Sequence, residues 1–289
     1  MFPGLNKVYL LTNRSYPQEY QNYLNVDSSS KRQEEDLIVA GFGAVPEKTE
    51  GHSPQLDFME ISDKLQYLHK TYMLGFEVTE EMYEDELYGI IKKAPAALAL
   101  AEKQTIDQLA VAVLDYAFTA GYNGVDGLCL CNTAHTRLKV GGTVANRPTV
   151  DVDLDPVSFR AALQTWEMWT DENGFPMKYI PQKLLVSPPN RAMARILTQS
   201  DKAPFTDENQ PNAEKEWNLG YDVLHYPSDT DAWWIQAGKD QHFMKLFWRK
   251  KPAFRGYDDP NTGNARYYVR FRLSCGFTHW PGIYGTTGA

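Results

Sequence analysis

The sequence predicts an α+β fold, and three patterns along the chain support this prediction. Apolar residues recur at steps of three and four over residues 79–120, which is helical spacing. Apolar and polar residues alternate over residues 266–277, as in an antiparallel strand with one buried face. Helix-like and strand-like segments follow one another over residues 151–240, which indicates a compact α/β or α+β unit. The chain has 289 residues, 43% of them hydrophobic, which is enough for one or two domains.

We expect residues 1–34 to form an N-terminal arm. The segment is polar and rich in tyrosine, and it has little periodic apolar pattern. At most one short helix is expected, near residues 17–24. Terminal segments of this kind either fray or lie on another surface. We therefore treat Tyr9 and Tyr16 as candidates for contact with a neighbouring copy of the chain.

Residues 35–75 are expected to form a long extended loop. Strand-like segments at residues 36–42 and 65–74 enclose residues 43–55, whose glycines, prolines and mixed charges are typical of an exposed loop tip. A two-stranded hairpin is only marginally stable alone in water, so we expect a neighbouring copy to cover it. The candidate intersubunit contacts in the loop are Pro46, Glu47, Lys48, Glu50 and His52.

The helix predicted over residues 79–120 organises the rest of the chain. Thr79 fits a helix N-cap followed by acidic residues, and the Gly-Tyr-Asn-Gly sequence at residues 121–124 is a typical helix stop. An unbroken helix of this length would be roughly 60 Å long. Pro95 predicts a kink or break near Lys93, so two packed helices remain the alternative. The periodic positions are Leu87, Ile91, Ala94, Leu98, Ala101, Thr105, Leu109, Val113 and Tyr116.

The remaining segments are shorter. Alternation in the last strand places Val269, Phe271, Leu273 and Cys275 on one face, and we expect Leu98, Leu109 and Val113 of the long helix to face that sheet. The tail after residue 280 is rich in glycine and expected to be extended. The other predicted elements are strands at 127–132, 183–187, 221–226, 232–237 and 243–249, and helices at 155–168 and 190–199.

The charge and cysteine content narrow the classes of function. The net charge is −8 and the only dense basic run is residues 249–251, which we interpret as a solvated strand end. A protein that grips nucleic acid needs a larger basic patch, so any DNA is expected to be enclosed rather than read. Cys129, Cys131 and Cys275 are odd in number and lack CxxC spacing, which predicts buried thiols in a reducing compartment. We expect no signal peptide and no membrane span.

No pattern points to catalysis, a cofactor or a metal. The six histidines have no metal-ligand spacing, and a local hydrogen-bonding role is expected for His135. Three carboxylates at residues 151–155 could attract a cation on one strand face, but a strand end and helix cap explain them as well. The acidic residues at 80–86 begin a predicted helix, where they complement its dipole. The sequence therefore predicts no enzyme activity.

Several motifs, in their order along the chain, resemble those of tailed-bacteriophage major capsid proteins. The segment 72–79 with its acidic helix resembles the sequence before the spine helix of that family, with Mu-type major head subunits as the closest relatives. Asp126-Gly127-Leu128, His135 and Asn146 resemble the segment after that helix. Residues 184–200 resemble the family's strand-proline-helix step, and residues 280–288 its C-terminal signature. The resemblance extends from about residue 39 to 288.

This resemblance implies the Hong Kong 97-type capsid fold. The implied subunit has an arm, an extended loop, a peripheral domain with a long spine helix and antiparallel sheet, and an axial α/β domain. In this sequence the four parts would be residues 1–34, residues 35–75, residues 76–150 with 241–280, and residues 151–240 with 281–289.

The resemblance also implies partners and a location. The chain would assemble with itself into hexamers and pentamers of an icosahedral head, with portal, scaffold and decoration proteins as further partners. The head would enclose double-stranded DNA without sequence-specific binding, and it would form in the host cytoplasm and end in the virion. Two alternatives remain: an encapsulin-like nanocompartment shell, and an intracellular metal- or nucleotide-dependent enzyme.

Overall fold

The computed structural model describes residues 2–85, 89–202, 211–259 and 263–289. Its helices are α1 Phe2–Ser15, α2 Tyr20–Tyr23, α3 Glu80–Glu84, α4 Ile90–Asp115, α5 Pro156–Glu167 and α6 Arg191–Gln199, with 3-10 turns at Pro188–Asn190 and Ala213–Trp217. Its strands are β1 Asn25–Ser28, β2 Gln33–Asp36, β3 Val39–Ala40, β4 Glu60–Ile61, β5 Leu65–Leu68, β6 Lys70–Val78, β7 His135–Thr136, β8 Thr143–Val144, β9 Pro181–Val186, β10 Gly220–Val223, β11 Trp233–Ala237, β12 Met244–Asp258, β13 Ala265–Phe277 and β14 Ile283–Thr286.

The described chain divides into two compact units, each of which combines helices with strands. The first contains residues 1–34, 67–111 and 245–276, and the second contains residues 35–66, 112–244 and 277–289. The N-terminal arm therefore shares a unit with most of α4 and with the long strands β12 and β13. The mixture of helices and strands agrees with the predicted α+β class.

A four-stranded sheet with the order β1-β12-β13-β6 forms the first unit's framework. Strands β13 and β6 are antiparallel, with Val269 opposite Leu74, whereas β1 runs parallel to β12. The predicted alternation in β13 is confirmed from Val269 to Leu273, since Val269, Phe271 and Leu273 are buried while Arg270 is exposed. It fails at the next two positions, where Ser274 is buried and Cys275 only half-buried. The buried face of this sheet shares its core with α1 and α4.

The long helix is interrupted, and the interruption does not fall at the proline. The structure has a short α3 and a separate α4 of 26 residues, about 39 Å long. Gly89, just before α4, has φ of +64°, a conformation that glycine adopts without strain. Pro95 lies in the second turn of α4 without ending it. The predicted position Leu87 lies outside the described residues.

The buried face of α4 agrees with the prediction in the N-terminal half of the helix, at Leu98, but not at Leu109. Leu98 is buried and belongs to the same core cluster as Val269, as expected. Leu109 is only half-buried, because the buried stripe continues through Ile106 and Ala110 instead. Val113 is buried, but it belongs to the second unit.

The arm is more ordered than the sequence predicts. It begins with the 14-residue helix α1, which places Leu5 and Tyr9 in the core of the first unit. Tyr9 is 3% exposed, stacks on Phe254 at 4.9 Å and donates a hydrogen bond to Glu102. The expectation of at most one short helix was wrong, because an apolar stripe of two residues was too weak a signal. Tyr9 is buried in its own chain and is not available to a neighbour.

The second unit contains a four-stranded sheet with the order β10-β9-β11-β14. Strand β9 is parallel to β10 and antiparallel to β11, and the C-terminal strand β14 completes the sheet beside β11. Helices α5 and α6 contribute to its tryptophan-rich core. The predicted helices and strands of residues 151–240 are found with small shifts of their ends. Asp155 forms a capping box at the start of α5, as one of the two interpretations of the 151–155 carboxylates required.

Residues 127–132 do not form the predicted strand. Their backbone groups make turns instead: the Gly124 N–H donates to the Leu128 carbonyl, and the Cys131 N–H donates to the Ala117 carbonyl. All three cysteines are free thiols, as predicted. Cys129 and Cys131 are buried, and Cys275 is half-buried. Local hydrogen bonds from the turn therefore replace the ladder that the apolar pattern suggested.

Candidate assembly surface

The extended loop begins and ends in short paired strands of the second unit. Strands β3 and β4 are antiparallel, with Val39 opposite Ile61. The Ile38 N–H donates to Ser62 Oγ at 2.8 Å, and the Ser62 N–H donates to the Ile38 carbonyl at 2.9 Å. These contacts hold the two ends of the loop together and leave residues 41–59 as the loop itself.

The loop exposes large apolar side chains to an unusual degree. Val45 is 96% exposed and Leu56 is 78% exposed. Exposed apolar groups of this size, when they cluster, mark surfaces that contact other proteins. Sequence reasoning singled out the polar tip and missed them, although their density between Gly41 and Ile61 was a usable signal. The exposed apolar residues of the loop and its flanking strands are Val39, Phe42, Val45, Leu56, Phe58, Met59 and Ile61.

Lys139 ties the two sides of the loop together. Its Nζ donates to the Gly41 carbonyl at 3.1 Å, to the Phe58 carbonyl at 2.8 Å and to Asp57 Oδ2 at 2.7 Å. An ammonium group has three donors, so this side chain uses all of them on the loop. Lys139 is only 16% exposed, which fits an anchoring role.

Asp57 is the acceptor at the centre of this arrangement. Its carboxylate accepts the Gly43 N–H at 2.7 Å and the Phe58 N–H at 2.9 Å, in addition to the bond from Lys139. The Gly43 N–H and the Lys139 ammonium lower the pKa of Asp57 to about 2. The carboxylate is therefore ionised at neutral pH. Its bonds to Gly43, Phe58 and Lys139 hold the two sides of the loop in a fixed geometry.

The structure places the loop residues predicted for intersubunit contact at the exposed tip. Pro46, Glu47, Lys48, Glu50 and His52 are all exposed. Within the described residues, the charged groups of Glu47, Lys48 and Glu50 form no ion pair. Tyr16, in the arm, is half-buried. The tip therefore presents polar groups beside the apolar residues of the loop, and whether either set touches a neighbour stays a proposal.

Asp126, His135 and Asn146, which the sequence motifs singled out, meet in the interior of the second unit. His135 and Asn146 have no exposed surface. The imidazole lies 2.5 Å from an Asp126 oxygen and 3.0 Å from the Asn146 side-chain oxygen. The predicted hydrogen-bonding role of His135 is therefore confirmed.

The carboxylates at residues 151–155 have protein partners instead of a shared face. Asp151 accepts two bonds from the Arg147 guanidinium, which lowers its pKa, and Asp153 accepts the N–H of Ala289. The expectation that they lie on one face of a strand was wrong, because residues 151–155 form no strand. In the described ranges, no group of three or more His, Cys, Asp and Glu side chains could hold a metal ion. Of the helices described, none is long and apolar enough to cross a membrane.

Comparison with known proteins identifies related families and folds. The phage capsid protein family model matches residues 63–285. The fold is similar to that of a chain in the procapsid of bacteriophage JBD30, at 15% identity and a TM-score of 0.56, covering 99% of this chain and 73% of that one. It is similar to the virus-like particle from Pyrococcus furiosus, at 12% identity and a TM-score of 0.58, covering 99% and 98%. The capsid of a native GTA particle is also similar, at 10% identity and a TM-score of 0.56, covering 96% and 93%. No curated protein matches the chain.

Proposed function

Because the chain belongs to the phage capsid protein family, we propose that it is a major capsid subunit, which self-assembles into the icosahedral head of a tailed bacteriophage. The observation that supports this most strongly is the family match together with a Hong Kong 97-type fold over nearly the whole chain. Its role is structural, and we assign it no enzyme activity. Closeness to Mu-type head subunits stays a prediction.

The parts of the chain fit the roles that such a subunit requires. The α4 helix and the β1-β12-β13-β6 sheet would form the peripheral domain, with α4 as its spine. The sheet of β9, β10, β11 and β14, with α5 and α6, would form the axial domain near the local symmetry axes of hexamers and pentamers. The extended loop would lie between subunits.

The exposed loop gives the proposal its physical basis. Burying apolar surface yields about 25 cal/mol per Å², so side chains such as Val45 and Leu56 gain free energy only when another molecule covers them. In a closed shell every subunit repeats the same contact, so a modest gain per loop is multiplied. Lys139 already restricts the conformations of the free loop, so the loop loses less conformational entropy on assembly.

The partners follow from this role. The shell would enclose double-stranded DNA without reading its sequence, in keeping with the net charge of −8. Portal, scaffold and decoration proteins are further partners, and the subunit would assemble in the host cytoplasm and remain in the virion.

A nanocompartment shell is the second candidate function. The fold alone does not separate it from a phage head, since a virus-like particle from Pyrococcus furiosus is similar over nearly all of both chains. The two functions differ in what the shell contains. A head should take up DNA when the packaging components are supplied, whereas a nanocompartment should carry protein cargo and no genome.

Electron microscopy of the expressed full chain tests the proposal. We expect closed shells of uniform diameter, with any required scaffold supplied. Only monomers or irregular aggregates, across several salt and pH conditions, would contradict a capsid role. The content of purified shells, measured by absorbance and gel electrophoresis, then separates the phage head from the nanocompartment.

A further inference from the structure

Strand β6 is an open edge of the first unit's sheet. It lies last in the order β1-β12-β13-β6, and among the described residues no strand pairs with its other side. The strand has nine residues, and its register with β13 runs from Lys70 to Val78 without a shift. Along such a strand every second residue directs its N–H and C=O groups away from the sheet. The free side of β6 is therefore a template for a further strand.

The opposite edge of the same sheet is better protected. Strand β1 has only four residues, and three of them are polar, including the charged Asp27. Proteins commonly block edge strands by keeping them short or by placing charges, prolines or bulges in them. Residues 71–76 of β6 contain neither a charged residue nor a proline. The two edges thus differ as expected if β6 alone pairs with another strand.

The side chains of β6 leave apolar surface exposed on both faces of the sheet. Leu74 lies opposite the buried Val269, yet Leu74 itself is 56% exposed at the edge. Met73, on the other face, is 60% exposed. Tyr72 and Phe76 flank Leu74 on its own face, and each packs on an aromatic ring of β13 with centroids 5.3 Å apart. An added strand would cover these groups.

We propose that β6 of a second copy of the chain occupies this edge, paired antiparallel about a two-fold axis at Leu74. Leu74 is the middle residue of β6, so this register pairs all nine residues of each strand. An axis perpendicular to the sheet keeps every residue on its own face, and the sheets of the two copies continue as one. The inference rests on the proposed self-assembly, to which it adds the surface that joins two copies.

The aromatic residues of the two copies match in this register. Tyr72 of one copy lies opposite Phe76 of the other, on the face that packs on the core. Cross-strand aromatic pairs of this kind stabilise antiparallel sheets. Each of these rings already packs on β13 of its own copy, so the four rings form a continuous row across the axis.

The charged residues of β6 also fit this register. Lys70 lies opposite Val78, and Thr71 lies opposite Glu77, so like charges do not face each other. Moving the axis to Met73 would place Lys70 opposite Phe76 and would leave the last two residues of each strand outside the pair. The register about Leu74 therefore gives both the longest overlap and the better match.

Disulfide trapping tests the register. In a Cys275→Ser background the remaining native thiols are buried, and Leu74→Cys places the two new thiols at the axis. Opposite Cα atoms of antiparallel strands lie about 4.5–5.5 Å apart, within the range that a disulfide spans. Mild oxidation should therefore link Leu74→Cys chains into dimers, roughly tenfold or more above the matched Thr71→Cys chains. Residue 71 is also exposed, but its two copies lie about 20 Å apart in this register.

Oxidising both shells and concentrated free subunits separates this inference from the proposed function. Leu74→Cys dimers in a chain that forms no shells would support the pairing and contradict the capsid role. Shells in which Leu74→Cys gives no more dimer than Thr71→Cys would overturn the pairing and leave the capsid role intact. Absence of the dimer from both samples would also overturn the pairing.

Hydrogen exchange of the native chain gives a second measurement that needs no substitution. In free subunits only every second amide of residues 71–77 bonds to β13, so the alternate amides should exchange fast. On association these fast amides should slow by roughly tenfold or more, because they bond to the second copy. Amides that stay fast would overturn the proposal, even where Leu74→Cys does not fold. Slowing without a Leu74→Cys disulfide in a folded chain would overturn it too, since a different segment would then cover the edge.

Discussion

Lys139 and Asp57 lie 82 positions apart in the sequence, yet their side chains meet at 2.7 Å and fix the base of the extended loop. The same ammonium also reaches the carbonyls of Gly41 and Phe58 on the two sides of the loop. One side chain therefore decides the direction in which the exposed apolar residues of the loop are presented.

Replacing Lys139 by methionine should free the loop without unfolding the subunit. Methionine keeps the length of the stem but removes the three donors, so backbone exchange at residues 41–43 and 57–59 should rise at least severalfold. Shell yield should fall, because a mobile loop loses more entropy on assembly. Hydrogen exchange and light scattering measure the two effects.

Lys64→Met is a matched control for this experiment. Lys64 pairs with Glu35 at 3.3 Å outside residues 41–59, and both side chains are exposed. Exposed pairs contribute little, so exchange and shell yield should stay near those of the native chain. Equal loop exchange in the Lys139→Met and native chains would show that the bridge is not what orders the loop.

Asp107 should make the first unit less stable as the pH rises. Its Oδ1 accepts the N–H groups of Glu19 and Tyr20, but its Oδ2 is buried without a partner. Burial raises the pKa of Asp107 to about 6, above the ~3.9 of an unfolded chain. The folded state then binds more protons than the unfolded state between those values, so the free energy of unfolding should fall over this window, by about 2–3 kcal/mol in total.

Denaturation of the unassembled subunit from pH 4 to 7, compared with Asp107→Asn, measures this contribution. Asparagine keeps an oxygen for the two N–H groups and cannot ionise. As the pH rises from about 4 to 6, the free energy of unfolding of the native chain should therefore fall relative to that of the Asp107→Asn chain. A difference that stays constant with pH would show that Asp107 does not titrate as described.

The pattern of period two in β13 was sufficient to predict its buried face as far as Leu273, because one side of that part of the strand packs on a core. The Asp155 cap and the helices of the second unit were likewise predictable, since caps and amphipathic stripes are local features. These signals depend on residues within a few positions of one another.

Features that depend on distant residues were not predictable in this way. Helix α1 is held by contacts of Leu5 and Tyr9 with α4 and β12, and these two residues alone are too weak a pattern to predict the helix. Pro95 lies early in α4, where the helix tolerates it, whereas the less conspicuous Gly89 lies at the interruption. The Lys139–Asp57 bridge joins two segments that look like unrelated loops. Packing and topology determine such features, so a single sequence does not reveal them.

The leucines of α4 provide a test of its inward face. Leu98 is 6% exposed in the core with Val269, and Leu98→Ala should lower the free energy of unfolding by about 2–5 kcal/mol. Leu100 is 37% exposed, and the same substitution there should cost less than about 1 kcal/mol. Chemical denaturation of the two variants checks this, and equal losses would contradict the assigned face.

Free subunits should bind duplex DNA only weakly. Phosphate-driven binding requires several clustered cations and weakens steeply with salt. With a net charge of −8, the chain is expected to bind above micromolar concentration at physiological salt and to lose binding as salt increases. Fluorescence anisotropy with a random duplex measures this. Submicromolar binding that resists salt would mean that the shell grips its genome.

Replacing residues 44–53 with a short Gly-Ser link, in the full chain, tests most directly whether the extended loop is an intersubunit clasp. The replaced residues are exposed and the Lys139–Asp57 bridge is retained, so the thermal midpoint of the unassembled subunit should stay nearly unchanged. Shells should fail to form or should be fragile when examined by electron microscopy, whereas the native chain gives closed shells under the same conditions. Normal, stable shells from the shortened chain would contradict the clasp, and an unfolded subunit would show that the loop belongs to the core.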